Sequence, residues 1–222
     1  MAFPLTHLIV GQNMIKTYKI KHEADFLLGC IAPDAVHFRK SFVGAGMAEI
    51  GQAKKISHLC PISDEKWGSV TDNEGWIGCV KIFLTEHERT LFKFGFATHV
   101  LTDIYNNKTI WDSFRTNHPL EAKKGYKSAY YEDLKHIDAL LKEDNEVTDE
   151  ICEKLAQAKA VGIKGLVTAD EVEAIKQSII AEYGNASQTG SFDKKYLTKF
   201  VSYDEMLIFI KEAAHYSSAI VF

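Results

Sequence analysis

The chain has few of the residues that interrupt helices. Its four prolines, at 4, 33, 61 and 119, fall at segment boundaries rather than inside periodic runs. Strand-like alternation is equally scarce, which argues against a sandwich or barrel and predicts an all-α, multi-helical fold. The four cysteines, at 30, 60, 79 and 152, contain no C-x-x-C pair. Neither a disulfide framework nor a thiolate zinc site is therefore expected, and the thiols read as small buried groups in a reducing compartment. No apolar run approaches the length of a membrane span, and the N-terminus lacks a charged region leading into a long apolar core, so a cytoplasmic protein without a transmembrane segment is expected. Excess basic charge is missing too. A formal net charge of -4 gives no electrostatic footprint for long nucleic acid, and no stable nucleic-acid complex is expected.

What remains is the composition of a globular helical protein, 46% hydrophobic and 25% charged, long enough for one substantial core. Thr168-Ala-Asp-Glu171 and Ser202-Tyr-Asp-Glu205 have capping-box spacing ahead of amphipathic runs and predict helices over 169–183 and 203–218. Further helices are expected over 17–30, 80–106, 126–143 and 148–160. The stretch 41–79 reads as long loops with short helical pieces, and 184–195 as the most mobile connection. The charged segment 142–150 reads as a helix–helix loop rather than a boundary, giving a single domain over 1–222.

Against this background, His99-Val-Leu-Thr-Asp103 stands out. Four residues are about one helical turn, so the imidazole and carboxylate share a face that also carries Phe92 and Phe96. Polar groups on an apolar stripe need a hydrogen-bond network, a cation or a metal ion. Three other segments place a ligand-type residue in apolar, turn-rich sequence: Pro4-Leu-Thr-His7, Cys30-Ile-Ala-Pro-Asp34-Ala-Val-His37 and Lys55-Ile-Ser-His58. With His99 and Asp103, the residues His7, Asp34 and His58 make three histidines and two carboxylates, the donor types zinc takes in hydrolytic sites.

In that order, His7, Asp34, His58 and His99 with Asp103 resemble the zinc-dependent phospholipase C family and the related single-strand-specific nucleases. The resemblance implies an all-helical fold with a metal-site core in about 1–140 and C-terminal helices in about 145–222. It implies one zinc held by Asp34, His58, His99 and Asp103. Asp103 would bridge to a second zinc, held also by His7 and by the terminal amine. Ala2 stands five residues before His7, the position from which a processed N-terminus reaches the metal in the family's nucleases. Asp34 would also accept a proton from the attacking water.

The chain departs from the family at the third zinc. Thr109 stands where its first histidine is expected, and the next helix carries Glu132 and His136 in reversed order. Asn107, Glu132, Asp133 and His136 are the residues from which a third site would have to be rebuilt, so a two-zinc centre is expected. His37 is a further ligand or a partner of one, and Arg39 or Lys40 a candidate for holding substrate phosphate. Trp67, Trp76, Tyr105, Trp111, Tyr130 and Tyr131 either line a substrate pocket or belong to the core. Glu212 and His215 read as ordinary residues of the last helix.

The expected function is zinc-dependent hydrolysis of a phosphoester or phospholipid headgroup, phospholipase C-like, with a phosphatase or phosphodiesterase of a soluble metabolite or nucleotide as the alternative. A non-catalytic helical module with a structural metal is the reading from outside the enzymes.

Overall fold

A computed structural model describes residues 3–42, 46–61, 65, 68–86, 88–144, 147–184 and 196–222. Ala2, Trp67 and all but the first residue of the 184–195 connection lie outside the described residues. Among the described residues, eleven α-helices form one all-α body: α1 Pro4–Tyr18, α2 Glu23–Gly29, α3 Met47–Ser57, α4 Asn73–Glu86, α5 Leu91–Lys108, α6 Ile110–Asn117, α7 Pro119–Ala122, α8 Ala129–Asp144, α9 Val147–Gln157, α10 Ala169–Tyr183 and α11 Tyr203–Val221. Short 3₁₀ turns cover Ala32–Phe38, Lys40–Phe42 and Gly125–Lys127. Among the described residues the sole β pairing is an isolated bridge between Ile163 and Val167.

The two capping boxes form as the spacing predicts. Thr168 and Ser202 each accept from the N3 backbone, and Glu171 and Glu205 each return the bond to the cap residue. Other boundaries differ from the sequence reading. The helix expected over 17–30 is two, because α1 ends where Lys19 turns into the left-handed region (φ 52°), before α2 begins. The helix expected over 80–106 is also two. Thr90 caps α5 by accepting from the Lys93 amide, so a new helix starts there. Within 41–79, read as loop, lie all of α3 and the start of α4. The first helix was hidden by its apolar composition. Pro4, at N1, starts it, and Leu5 through Gln12 are all buried, so it carries no polar face to reveal its period.

Helix α5 is the axis of the molecule, packed against α2, α4 and α11. Its crossing with α2 is unusually close because both helices carry glycine at the contact. A Cβ on Gly95 would lie 2.0 Å from the Phe26 carbonyl oxygen, and one on Gly29 would lie 2.1 Å from that of Phe92. The approach brings the residue after α2, Cys30, against the middle of α5. All four cysteines are reduced, with Cys30, Cys60 and Cys152 buried.

A candidate His/Asp metal centre

Four separate elements bring the five predicted donors together. His7 comes from α1, Asp34 from the first turn of the 3₁₀ segment after Pro33, His58 from the end of α3, and His99 with Asp103 from α5. His7, His58, His99 and Asp103 are at most 2% exposed. The Asp34 side chain, 17% exposed, is the donor nearest solvent, and His37 beside it is 41% exposed.

Local chain geometry fixes each donor. His58 is the C-cap of α3, and Leu59 follows at φ 54°. The Cys60 amide reaches back to the Lys55 carbonyl and the Leu59 amide to that of Ile56, closing a Schellman motif around the histidine. The Trp76 indole N–H donates to the His58 carbonyl at 2.7 Å, so this aromatic braces the site from α4. His99 Nδ1 is 2.7 Å from the Cys30 carbonyl oxygen, and His58 Nδ1 is 2.9 Å from that of Lys54. A carbonyl only accepts, so both Nδ1 atoms carry the hydrogen and both Nε2 atoms present lone pairs. Those two lone pairs face each other across 3.2 Å.

The carboxylates close the cluster. His58 Nε2 lies 3.4 Å from Asp34 Oδ1 and 3.6 Å from Asp103 Oδ2. His99 Nε2 lies 3.9 Å from Asp34 Oδ2 and 3.9 Å from Asp103 Oδ2. His7 Nε2 lies 3.6 Å from Asp103 Oδ1. Zinc held tetrahedrally at about 2.0–2.1 Å sets neighbouring donors about 3.3 Å apart, so these spacings match an ion-sized gap with little adjustment. Two overlapping triads, His7/His99/Asp103 and Asp34/His58/His99, can each hold a metal ion. Neither ring nitrogen of His7 has a hydrogen-bond partner among the described residues, a costly state for a buried imidazole that ligation would relieve.

The electrostatics favour deprotonated ligands. Burial, reinforced by His99, pushes the His7 pKa down to about 3, and burial also lowers that of His58 to about 4. Burial would raise the Asp34 carboxyl, but the Lys54 ammonium at 2.9 Å, with the nearby His37, His58 and His99 rings, outweighs it and holds it well below the usual range. Burial likewise opposes ionisation of Asp103, and the surrounding imidazoles, His7 foremost, bring its pKa below the ordinary value.

Other expected participants are placed elsewhere. Asn107 donates to the Val70 carbonyl and to Asn73; Glu132 pairs with Lys135 on the surface; the His136 ring packs on that of Tyr196. Asp133 accepts from the Tyr196 hydroxyl and from the amides of Lys199, Phe200 and Val201, anchoring the lead-in to α11. These four residues therefore build no third site. Thr109 turns its hydroxyl back to the Tyr105 carbonyl. Arg39, a candidate for phosphate, is instead engaged by Glu171 at 2.7 Å and by the Leu166 carbonyl, clamping the Asp34 segment to α10. Lys40 is exposed. Of the aromatics, Trp76, Trp111 and Tyr131 line a narrow cavity of about 20 Å³ beside Asp103, room for about one water molecule. Tyr130 is core, and Tyr105 faces α11, where its hydroxyl donates to Glu212. His215 is exposed on that helix, as its reading as an ordinary residue implies. The residue the sequence reading missed is Lys54. Its signal was its place one turn before His58 on the same helix.

Compared with protein-family models, curated proteins and solved structures, the chain matches none.

Proposed function

We propose that the chain is a zinc-dependent hydrolase of phosphoesters working at a two-metal centre. The observation that supports this most is the pair of imidazole lone pairs at 3.2 Å, each fixed by a backbone carbonyl and flanked by two carboxylates. In the absence of a shared proton, the arrangement is repulsive unless a cation sits among them. The donor set of nitrogen and carboxylate oxygen, without sulfur, suits zinc.

Zinc, when bound, supplies Lewis-acid polarisation of a phosphoryl oxygen and lowers the pKa of a coordinated water toward neutrality. The protein residues then divide the remaining work. Asp103, facing His7 through one oxygen and both His58 and His99 through the other, would hold both ions. His58 and His99 are delivered in the neutral tautomer a metal needs. Asp34 is both ligand and proton acceptor, and His37, 3.6 Å from it and open to solvent, is the way out for that proton. A phosphoester enters on this Asp34 side, because the cavity beside Asp103 is too small to admit one.

Burial of four donors favours a second reading, a structural metal without turnover. One experiment separates the two. Metal analysis of protein purified with zinc, joined to hydrolysis of chromogenic phosphomonoesters and diesters, is expected to show about two zinc per chain and turnover lost in Asp34→Asn and Asp103→Asn. Zinc retention with no turnover on either ester selects the structural role, and folded protein that takes up no zinc defeats both.

A further inference from the structure

Lys54 is 4% exposed, and its ammonium points into the centre from α3. It lies 2.9 Å from Asp34 Oδ1 and 3.0 Å from His37 Nε2. A buried ammonium is stable only while its charge is matched. A metal ion ligated by Asp34 draws on the same carboxylate, so loading the centre weakens the compensation Lys54 has in its absence. Two carboxylates set against two divalent ions and an ammonium leave a surplus of roughly three positive charges in a site shielded from water. Such a surplus calls for an anionic ligand. The residues that would have built a third metal site are committed elsewhere, and Arg39 is committed to Glu171. Lys54, by contrast, sits where the centre opens to solvent at His37.

We propose that Lys54 takes the place of a third cation, holding a phosphoryl oxygen of the ligand beside the metal pair. The inference rests on the metal-centre reading above. Its chemistry is shared by phosphomonoesters, phosphodiesters and inorganic phosphate, all of which present a non-bridging oxyanion that an ammonium binds as a point charge. Lys54 is thus a binding residue for that oxyanion, and its carbonyl at the same time orients His58.

The test is calorimetric titration of inorganic phosphate into the zinc-loaded protein, with zinc content measured alongside, for wild type, Lys54→Met and Lys54→Arg. Unchanged zinc content in both variants is expected, with phosphate affinity roughly tenfold to a hundredfold weaker in Lys54→Met and within a few-fold of wild type in Lys54→Arg. Comparing phenyl phosphate with diphenyl phosphate as competitors then tells whether the pocket prefers a monoester dianion or a diester. Equal phosphate affinity in wild type and Lys54→Met, both carrying zinc, overturns the proposal. Should the methionine variant fail to fold, the Lys54 ammonium NMR resonance, assigned by its loss in Lys54→Arg, decides instead: no shift on saturation with phosphate overturns it equally. The two readings fail separately. Zinc-loaded protein that binds phosphate through Lys54 yet hydrolyses neither ester leaves this inference standing and removes the hydrolase. Hydrolysis with phosphate affinity untouched by Lys54→Met does the reverse, and wild type that takes up no zinc overturns both.

Discussion

His7 and His99 stack face to face, ring centroids 3.7 Å apart and planes within 9° of parallel, with α1 supplying one ring and α5 the other. Burial, reinforced by the stacked His99 ring, disfavours charging His7. In the unfolded chain His7 and His58 titrate near 6.5, whereas folding lowers His7 to about 3 and His58 to about 4. The unfolded state therefore binds more protons over that interval. The stability these two histidines contribute is complete above about pH 6.5 and drains away as pH falls toward 4 and 3. We expect chelator-treated protein to lose up to about 1.4 kcal/mol per pH unit for each histidine in that window. Urea unfolding at pH 7, 6 and 5 measures it, and His7→Gln should flatten the profile.

Asp138 acts in the opposite sense. It is 6% exposed and its carboxyl accepts from the Tyr183 hydroxyl at 2.5 Å, yet burial pushes its pKa up to about 7. Because the folded pKa is raised, the favourable state is the protonated one. Its contribution is present below about pH 4 and is lost as pH rises through 7. Asp138→Asn, which keeps an acceptor for Tyr183, is expected to be more stable than wild type at pH 8.5, by up to about 4 kcal/mol, and close to it at pH 4. Since the windows of Asp138 and the histidines overlap with opposite signs, the wild-type curve is expected to be flatter than that of Asp138→Asn. A variant no more stable at pH 8.5 than at pH 4, relative to wild type, contradicts the assignment.

The Gly29–Gly95 crossing connects core packing to the site. A methyl group on Gly95 meets the backbone of α2, which cannot yield as a side chain can. Gly95→Ala is expected to cost about 3 kcal/mol and to weaken zinc binding, because parting the helices withdraws the Cys30 carbonyl from His99. Thermal melts and zinc titration give the two numbers. A stable variant with wild-type zinc affinity would show that α2 need not sit so close.

Arg39 and Glu171 tie the Asp34 segment to the C-terminal half. The Arg39 side chain is 31% exposed, so solvent screens part of the attraction, and Arg39→Ala is expected to cost about 1 kcal/mol. Glu171→Ala should cost more, since it also removes the capping box of α10. Glu171→Gln, which retains that box, should fall between them. Denaturant midpoints of the three variants establish the order.

The donors were legible in the sequence because each is a ligand-type residue in an apolar setting: His7 ahead of Leu-Ile-Val, His99 and Asp103 on the stripe of Phe92 and Phe96. The capping boxes of α10 and α11 were legible because they are local. The split between α4 and α5 was not, since Thr90 caps without the acidic N3 partner that marks Thr168 and Ser202. Lys54 escaped notice because Lys54-Lys55 reads as a solvated charge pair, and only the fold turns both inward to 4% and 6% exposure. The role of Asp133 was hidden for a related reason. Its role is to gather amides more than sixty residues further along, and no spacing rule encodes that.

Four stretches of chain, at residues 7, 34, 58 and 99, meet in one cluster. Drawing them together closes loops of roughly 25 to 40 residues, each costing about 3 kcal/mol of chain entropy. An ion joining these points is then a cross-link as much as a reagent, a reversible staple for the first half of the polypeptide. It withholds from the unfolded chain the freedom a disulfide would remove, without a cysteine being spent. With a metal bound as proposed, how long this protein survives dilution, heat or a protease should accordingly follow the free concentration of that ion.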